Sequence, residues 1–201
     1  MNASTSSKVA LVIIDLQNDF LSTDGAYARG GAVSAAALEL PTRVARVAQA
    51  VKQQGGLVAA SQFTLWPDAD GEPMISPHLK TLRPFLKRGD FAPGSHGQAC
   101  VDALAPLVDV SVFKVAYSAF FNTQLDWVLR RAGVGTVAVC GIVTNGGVAS
   151  TVRDAHMRDY RTLVLSDGCA AFDAQAHANA LADMRSVAQV MDCNEFMESL
   201  K

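Results

Sequence analysis

A chain of 201 residues with 50% hydrophobic and 18% charged side chains can bury one sizeable core and is too apolar to stay disordered. Its 17 basic and 19 acidic residues leave a net charge of -2 with no run of like charge, which removes the electrostatic footprint of a nucleic-acid or anionic-membrane partner. The four cysteines, Cys100, Cys140, Cys169 and Cys193, show neither CxxC nor Cys/His metal spacing, and a chain this long needs no disulfide staples, so the expected compartment is a reducing cytoplasm.

Residues 1–8 are polar and read as a disordered tail. The apolar run at 9–14, VALVII, is too short for a signal peptide or a membrane span and ends directly in Asp15. It reads as a buried strand, as do LVAAS (57–61), VSVFK (110–114), TVAVC (136–140) and TLVLS (162–166), with a weaker sixth near 187–191. Their lack of polar alternation predicts a sheet covered on both faces. Between them, apolar residues at three- and four-residue spacing predict helices over 41–53, 123–131, 148–160 and 174–184. Gly55-Gly56 and Gly133 stand where helix C-caps belong, and Asn122 is a candidate N-cap. The stretch 62–97 breaks the rhythm with five prolines and little periodicity; it is either a functional loop or a surface excursion.

Strand and helix in alternation predict a doubly wound, Rossmann-like α/β fold: a six-stranded parallel sheet with helices on both faces. In such sheets ligands bind beyond the C-terminal strand ends, near the point where strand order reverses. Three strands end there on chemistry: Asp15 after the first, Lys114 closing the third, and the Gly141–Gly147 turn, GIVTNGG, after the fourth. A carboxyl at an apolar strand end loses hydration and a nearby lysine offsets that loss, so Asp15 and Lys114 read as partners, either functional or a plain salt bridge. Gly146-Gly147 leads into a helix, where free backbone N–H groups favour negative charge, although a flexible turn explains the glycines equally well. His78 and His96, with Asp68, Asp70 and Asp90 scattered between them, show no metal-ligand spacing, so no metal and no cofactor is expected. His156 and His177 fall on predicted helices, with surface or capping roles. Phe63, Trp66, Phe91, Tyr117 and Phe120 either wall a pocket or belong to the core.

Three segments, IIDLQNDF around Asp15, KVAYSAFFNTQLDWVLRRAG from Lys114, and VCGIVTNGGVASTVRDAHMRDYRTLVLSDGCAAF from Val139 to Phe172, together resemble the isochorismatase-like hydrolases, also called the cysteine hydrolase superfamily. The resemblance spans almost the whole chain and implies a single hydrolase domain over residues 1–201. It marks Asp15 and Lys114 as catalytic, and implies a cis peptide between Ile142 and Val143 that helps aim the N–H groups of Val143 and Gly147 into an oxyanion hole. It also implies substrate contacts at Gln62, Tyr117, Phe120, Ile142, Val143 and Thr144, and a homo-oligomer, a dimer or tetramer.

The chain departs from the amidase majority of that family at Gly147, where those enzymes carry a nucleophilic cysteine; glycine has no side chain with which to attack. Cys140 is expected in the core, and Cys100, Cys169 and Cys193 lie in other segments. Isochorismatases proper also carry glycine there and resemble acid catalysts that protonate a vinyl ether and let water finish the hydrolysis. On that pattern Asp15 is the acid, Lys114 holds the substrate anion, and Gln62 contacts substrate. Val143 stands where those enzymes have a tyrosine, and no arginine falls just after Gln62, which points away from isochorismate itself. The expected function is hydrolysis of a small organic molecule by non-covalent acid catalysis. The alternative is a catalytically silent relative that binds a small ligand or serves as an assembly subunit.

Overall fold

The computed structural model describes residues 8–201. The expected tail therefore lies outside the described residues, save for Lys8, which opens the first strand instead. In chain order, β1 (Lys8–Ile14), β2 (Leu57–Phe63), β3 (Val110–Lys114), β4 (Val134–Ile142), β5 (Arg161–Ala170) and β6 (Gln189–Met191) form one six-stranded sheet. All pairings are parallel, in the order β3-β2-β1-β4-β5-β6. The order reverses between β1 and β4, so the crevice expected of a doubly wound sheet opens above these two strands.

β1, β2, β4 and β5 are buried along most of their length, as their unbroken apolar runs predict. β3 departs from that expectation. It is an edge strand whose side chains alternate, with Val112 and Lys114 buried and Ser111 and Phe113 turned outward.

α3 (Ala35–Gln53) packs against β1, β2, β4 and β5 and, with α8 (Cys193–Ser199), covers one face. α5 (Leu125–Arg131), α6 (Ala149–Met157) and α7 (Ala174–Met184) cover the other. α3 starts ahead of the expected 41 because its buried stripe, Leu40, Val44, Val47, Ala48 and Val51, continues back to Ala37. Ser34 Oγ caps the helix by accepting from the Ala37 N–H at 3.4 Å, and burial of Ala37 and Leu40 carries it past Pro41. α5 begins at Leu125 rather than 123, because Asn122 takes a left-handed φ of 53° and Thr123 Oγ1 accepts from the Leu125 N–H. α8 was not expected, although Asp192 and Glu195 spell its capping box, with both reciprocal bonds formed.

The 62–97 stretch is folded. With α1 (Asn18–Leu21) and α2 (Ala26–Arg29) it builds a second small core from Ala26, Tyr27, Leu65, Leu86 and Phe91. Asp19 ties the two parts together, accepting from the N–H groups of Ala26 at 3.1 Å and Phe91 at 2.6 Å. The stretch carries one short helix, α4 (Pro77–Leu82), capped by Ser76. Among the described residues no helix is long and apolar enough to cross a membrane.

Candidate active site

β1 ends at Ile14, and the next residue takes a left-handed backbone, φ 54°, which aspartate tolerates better than most residues. The turn sends the Asp15 carboxyl across the C-terminal ends of β2 and β3. Ser61, in register with Ile14, donates its hydroxyl to Asp15 Oδ1 at 2.8 Å. Lys114, in register with Phe63, places Nζ 2.7 Å from Asp15 Oδ2 and donates to the Ala116 carbonyl at 2.9 Å. Both charged side chains are almost fully buried. Burial raises the Asp15 carboxyl above its usual range; the Lys114 charge and the hydrogen bonds from Lys114 and Ser61 oppose that rise without cancelling it.

The third strand end supplies the neighbouring wall. Gly141 takes φ 115°, and a Cβ there would lie 2.1 Å from the Ile14 carbonyl, so only glycine lets β4 approach β1 this closely. The Ile142–Val143 peptide is cis, as the resemblance implied, and Thr144–Val148 forms one π-helical turn before α6. That turn carries Gly147 against the Asp15 carboxyl: a Cβ there would stand 3.4 Å from Asp15 Oδ2 and 2.9 Å from Ile14 Cγ2. The turn is pinned from behind, since Thr151 donates its hydroxyl to the Gly147 carbonyl at 2.7 Å and accepts from the Ala119 N–H at 3.0 Å.

Asp15, Lys114, Ile142, Val143 and Gly147 line one cavity of about 300 Å³, near the low end for a small-molecule site. Its walls are Phe20, Tyr27, Phe63 and Phe172 on one side and Val115, Ala116 and Tyr117 on another. α4 closes it with His78, Leu79, Leu82 and Arg83. Tyr27 and Phe172 stack at 5.4 Å with 14° between their planes.

Three expected substrate contacts lie elsewhere. Gln62 follows Ser61 on β2 and so faces the opposite side of the sheet, where its amide donates to the Gln98 carbonyl at 3.0 Å. Phe120 is buried against Tyr160 and the Arg158 guanidinium. Thr144 is fully buried, with its hydroxyl 2.8 Å from His177 Nδ1. Of the other aromatics, Phe63 and Tyr117 line the cavity, Phe91 belongs to the small core, and Trp66 is exposed outside it. Reading residues along the chain missed Ser61, Phe20, Tyr27, Arg83 and Phe172. For Ser61 the period-two parity with Phe63 was a usable signal; for the rest no local pattern marked them.

No described cysteine lines the cavity. Burial pushes the Cys100 thiol up to about 11 and the Cys169 thiol to about 12, and raises Cys140 and Cys193 as well, so none supplies a thiolate near neutral pH. Among the described residues no group of three or more His, Cys, Asp or Glu side chains stands together to hold a metal ion. A protonatable carboxyl fixed between a cation and a hydroxyl, on the floor of an apolar cavity, can exchange one proton with a bound molecule.

Residues 9–195 match the isochorismatase domain. The chain belongs to the isochorismatase family. It is 36% identical over 167 residues to the ureidoacrylate amidohydrolase RutB of Methylorubrum extorquens, covering 78% of this chain and 67% of that protein. The corresponding protein of Yersinia enterocolitica is 35% identical over 175 residues, covering 82% and 76%. In structure the chain is similar to a cysteine hydrolase from Pseudomonas syringae pv. phaseolicola, with a TM-score of 0.83 at 26% identity, covering 96% of this chain and 92% of that one. The isochorismatase-family membership and these relatives make the chain a hydrolase acting on a small molecule, and the six-stranded parallel sheet is the fold they share.

Proposed function

We propose that this hydrolase works by non-covalent acid catalysis, with Asp15 as the proton donor and a vinyl ether or similarly protonatable small molecule as substrate. The carrying observation is the position of Gly147: the place from which a thiol would act adjoins Asp15 Oδ2 and holds no side chain. The relatives named as amidohydrolases point to hydrolysis, while the residue at 147 argues against a thioester route in this chain.

Asp15 delivers its proton to the terminal carbon of the C=C bond, leaving an oxocarbenium ion. Water adds to that ion and returns a proton to the carboxylate. The hemiketal then loses the alcohol as its hydroxyl proton passes to the leaving oxygen, so vinyl ether and water become ketone and alcohol. Lys114 favours the carboxylate that forms after proton delivery and holds negative charge on the substrate. The N–H groups of Val143 and Gly147 donate to the substrate oxygen that gains charge as the hemiketal collapses. Burial, which raises Asp15, keeps the acid charged with its proton.

Substrate contacts in this reading come from Tyr117, Ile142 and Val143, which line the cavity. Four free cysteines suit a reducing compartment, which supports action in the cytoplasm. Exposed Phe113, Val115, Tyr117, Phe121 and Trp127, clustered in sequence along the β3 edge and into α5, support self-association. The deciding experiment is Asp15→Asn, screened against vinyl ethers and small amides. The variant is expected to stay folded with a lowered melting temperature, because the buried Lys114 charge loses its partner, and to lose turnover. In the wild type, the rate is expected to fall as pH rises through the raised Asp15 pKa, because ionisation removes the proton to be donated. A variant that keeps most of the wild-type rate sinks the assignment.

A further inference from the structure

We infer that His177 is a positioning residue: from the first turn of α7 it holds the buried Thr144 hydroxyl and so fixes the turn that presents the Val143 and Gly147 N–H groups. The inference deepens the proposed reading and rests on those two N–H groups facing the substrate.

Thr144 opens the π-helical turn, directly after the Ile142–Val143 peptide. The Val143 carbonyl accepts from the N–H groups of Gly146 at 2.9 Å and Val148 at 3.3 Å, so Thr144 lies inside the loop that these two bonds close. Its side chain is fully buried, and among the described residues its hydroxyl has one hydrogen-bond partner, His177 Nδ1 at 2.8 Å. A hydrogen on Nδ1 would leave the hydroxyl hydrogen without an acceptor in that interior. The hydroxyl therefore donates to Nδ1, and the ring carries its own hydrogen on Nε2. Burial lowers the His177 pKa, which keeps the ring neutral and Nδ1 free to accept.

The imidazole is itself held at a capped helix start. Asp173 Oδ1 accepts from the Ala176 N–H at 2.7 Å, and the His177 N–H donates to the Asp173 carbonyl at 3.0 Å. Core packing leaves this end of α7 alone, since of its residues only Met184, at the far end, is fully buried. Phe172, in the cavity wall, immediately precedes the Asp173 cap. One hydrogen bond thus ties the wall that carries Phe172 to the turn that carries Gly147. Thr151 pins the far end of that turn through the Gly147 carbonyl and His177 pins its start, which restrains a backbone that Gly146 and Gly147 would otherwise leave free.

The test takes Gly147→Cys as the parent, because the introduced thiol reports on the turn without any substrate. Its rate of alkylation by iodoacetamide against pH gives the thiol pKa, which aligned N–H groups lower. Adding Thr144→Val or His177→Leu is expected to raise that pKa by about half a pH unit or more, slowing labelling near neutral pH about threefold. Both changes remove the same bond, so the two together are expected to do no more than either alone. Thr144→Ser, which keeps the hydroxyl, and His177→Asn, which keeps an acceptor near the Nδ1 position, should restore most of the rate. A merely structural His177 would lower the melting temperature and leave the thiol pKa in place; that result, or additive effects of the two changes, overturns the inference. In the otherwise unaltered protein, imidazole nitrogen chemical shifts should show His177 with Nδ1 bare and Nε2 protonated, the signals being assigned by comparison with His177→Asn. The opposite tautomer also overturns the inference, and this measurement needs no destabilising variant. Neither readout involves proton transfer from Asp15, so both are separate from any result with Asp15→Asn.

Discussion

Replacing Lys114 with methionine tests the buried pair at the centre of the site through the pH dependence of stability. The Lys114 side chain is 2% exposed and makes two bonds, to Asp15 Oδ2 at 2.7 Å and to the Ala116 carbonyl at 2.9 Å. Methionine keeps most of the buried volume, so packing contributes little to the change. Stranding a buried charge costs about 3–5 kcal/mol, and the lost carbonyl bond about 1 kcal/mol more. Asp15 can escape the larger cost by taking a proton. Burial already raises its pKa above 3.8, and removing Lys114 deletes the main influence pulling it back, so it climbs further. A carboxyl with a raised folded-state pKa contributes stability that is complete below the unfolded value and is lost as pH rises through the folded one. The deficit of the variant should therefore be small in acid and grow with pH between the wild-type and variant Asp15 values, by up to about 1.4 kcal/mol per pH unit. Urea unfolding of both proteins from pH 5 to 8 measures it. A deficit independent of pH, or one that deepens on acidification, would refute the coupling of Asp15 to Lys114.

Gly147→Cys should fold at a cost of about 1–3 kcal/mol, because its Cβ presses on Ile14 Cγ2 at 2.9 Å. The new thiol should react with iodoacetamide near neutral pH, more slowly when Lys114 is replaced, as mass spectrometry would show. Wild type should keep its activity under the same treatment, its thiols being held up by burial; stoichiometric inactivation through Cys140 would overturn the acid mechanism. Gly141→Ala should lose about 4 kcal/mol or more in denaturant melts, since its Cβ meets the Ile14 carbonyl at 2.1 Å on a backbone with φ 115°. Light scattering at micromolar concentration should return the mass of a dimer or tetramer, and a single-chain mass rejects self-association through the apolar β3 edge.

Much of this site was legible along the chain because parallel strands end where ligands bind. Asp15 closes VALVII and Lys114 closes VSVFK, and a buried apolar run fixes where its own end must fall. The Gly141–Gly147 turn was visible in the same way, after the fourth strand, whereas the meaning of Gly147 came only from the resemblance to a family whose amidases carry a cysteine there. Alternation within a strand is equally local, yet it assigns a face only once register is known. Ser61 turns to Asp15 because it pairs with Ile14, and that pairing sends Gln62 to Gln98 on the other side of the sheet. The remaining walls depended on tertiary structure throughout. Tyr27, Arg83 and Phe172 come from segments with no shared pattern, and they meet because a small aromatic core folds the 62–97 stretch back over the strand ends. Periodicity records which face of an element seeks burial; it carries no record of which distant element will cover that face, and in this chain that covering decides what the cavity can recognise.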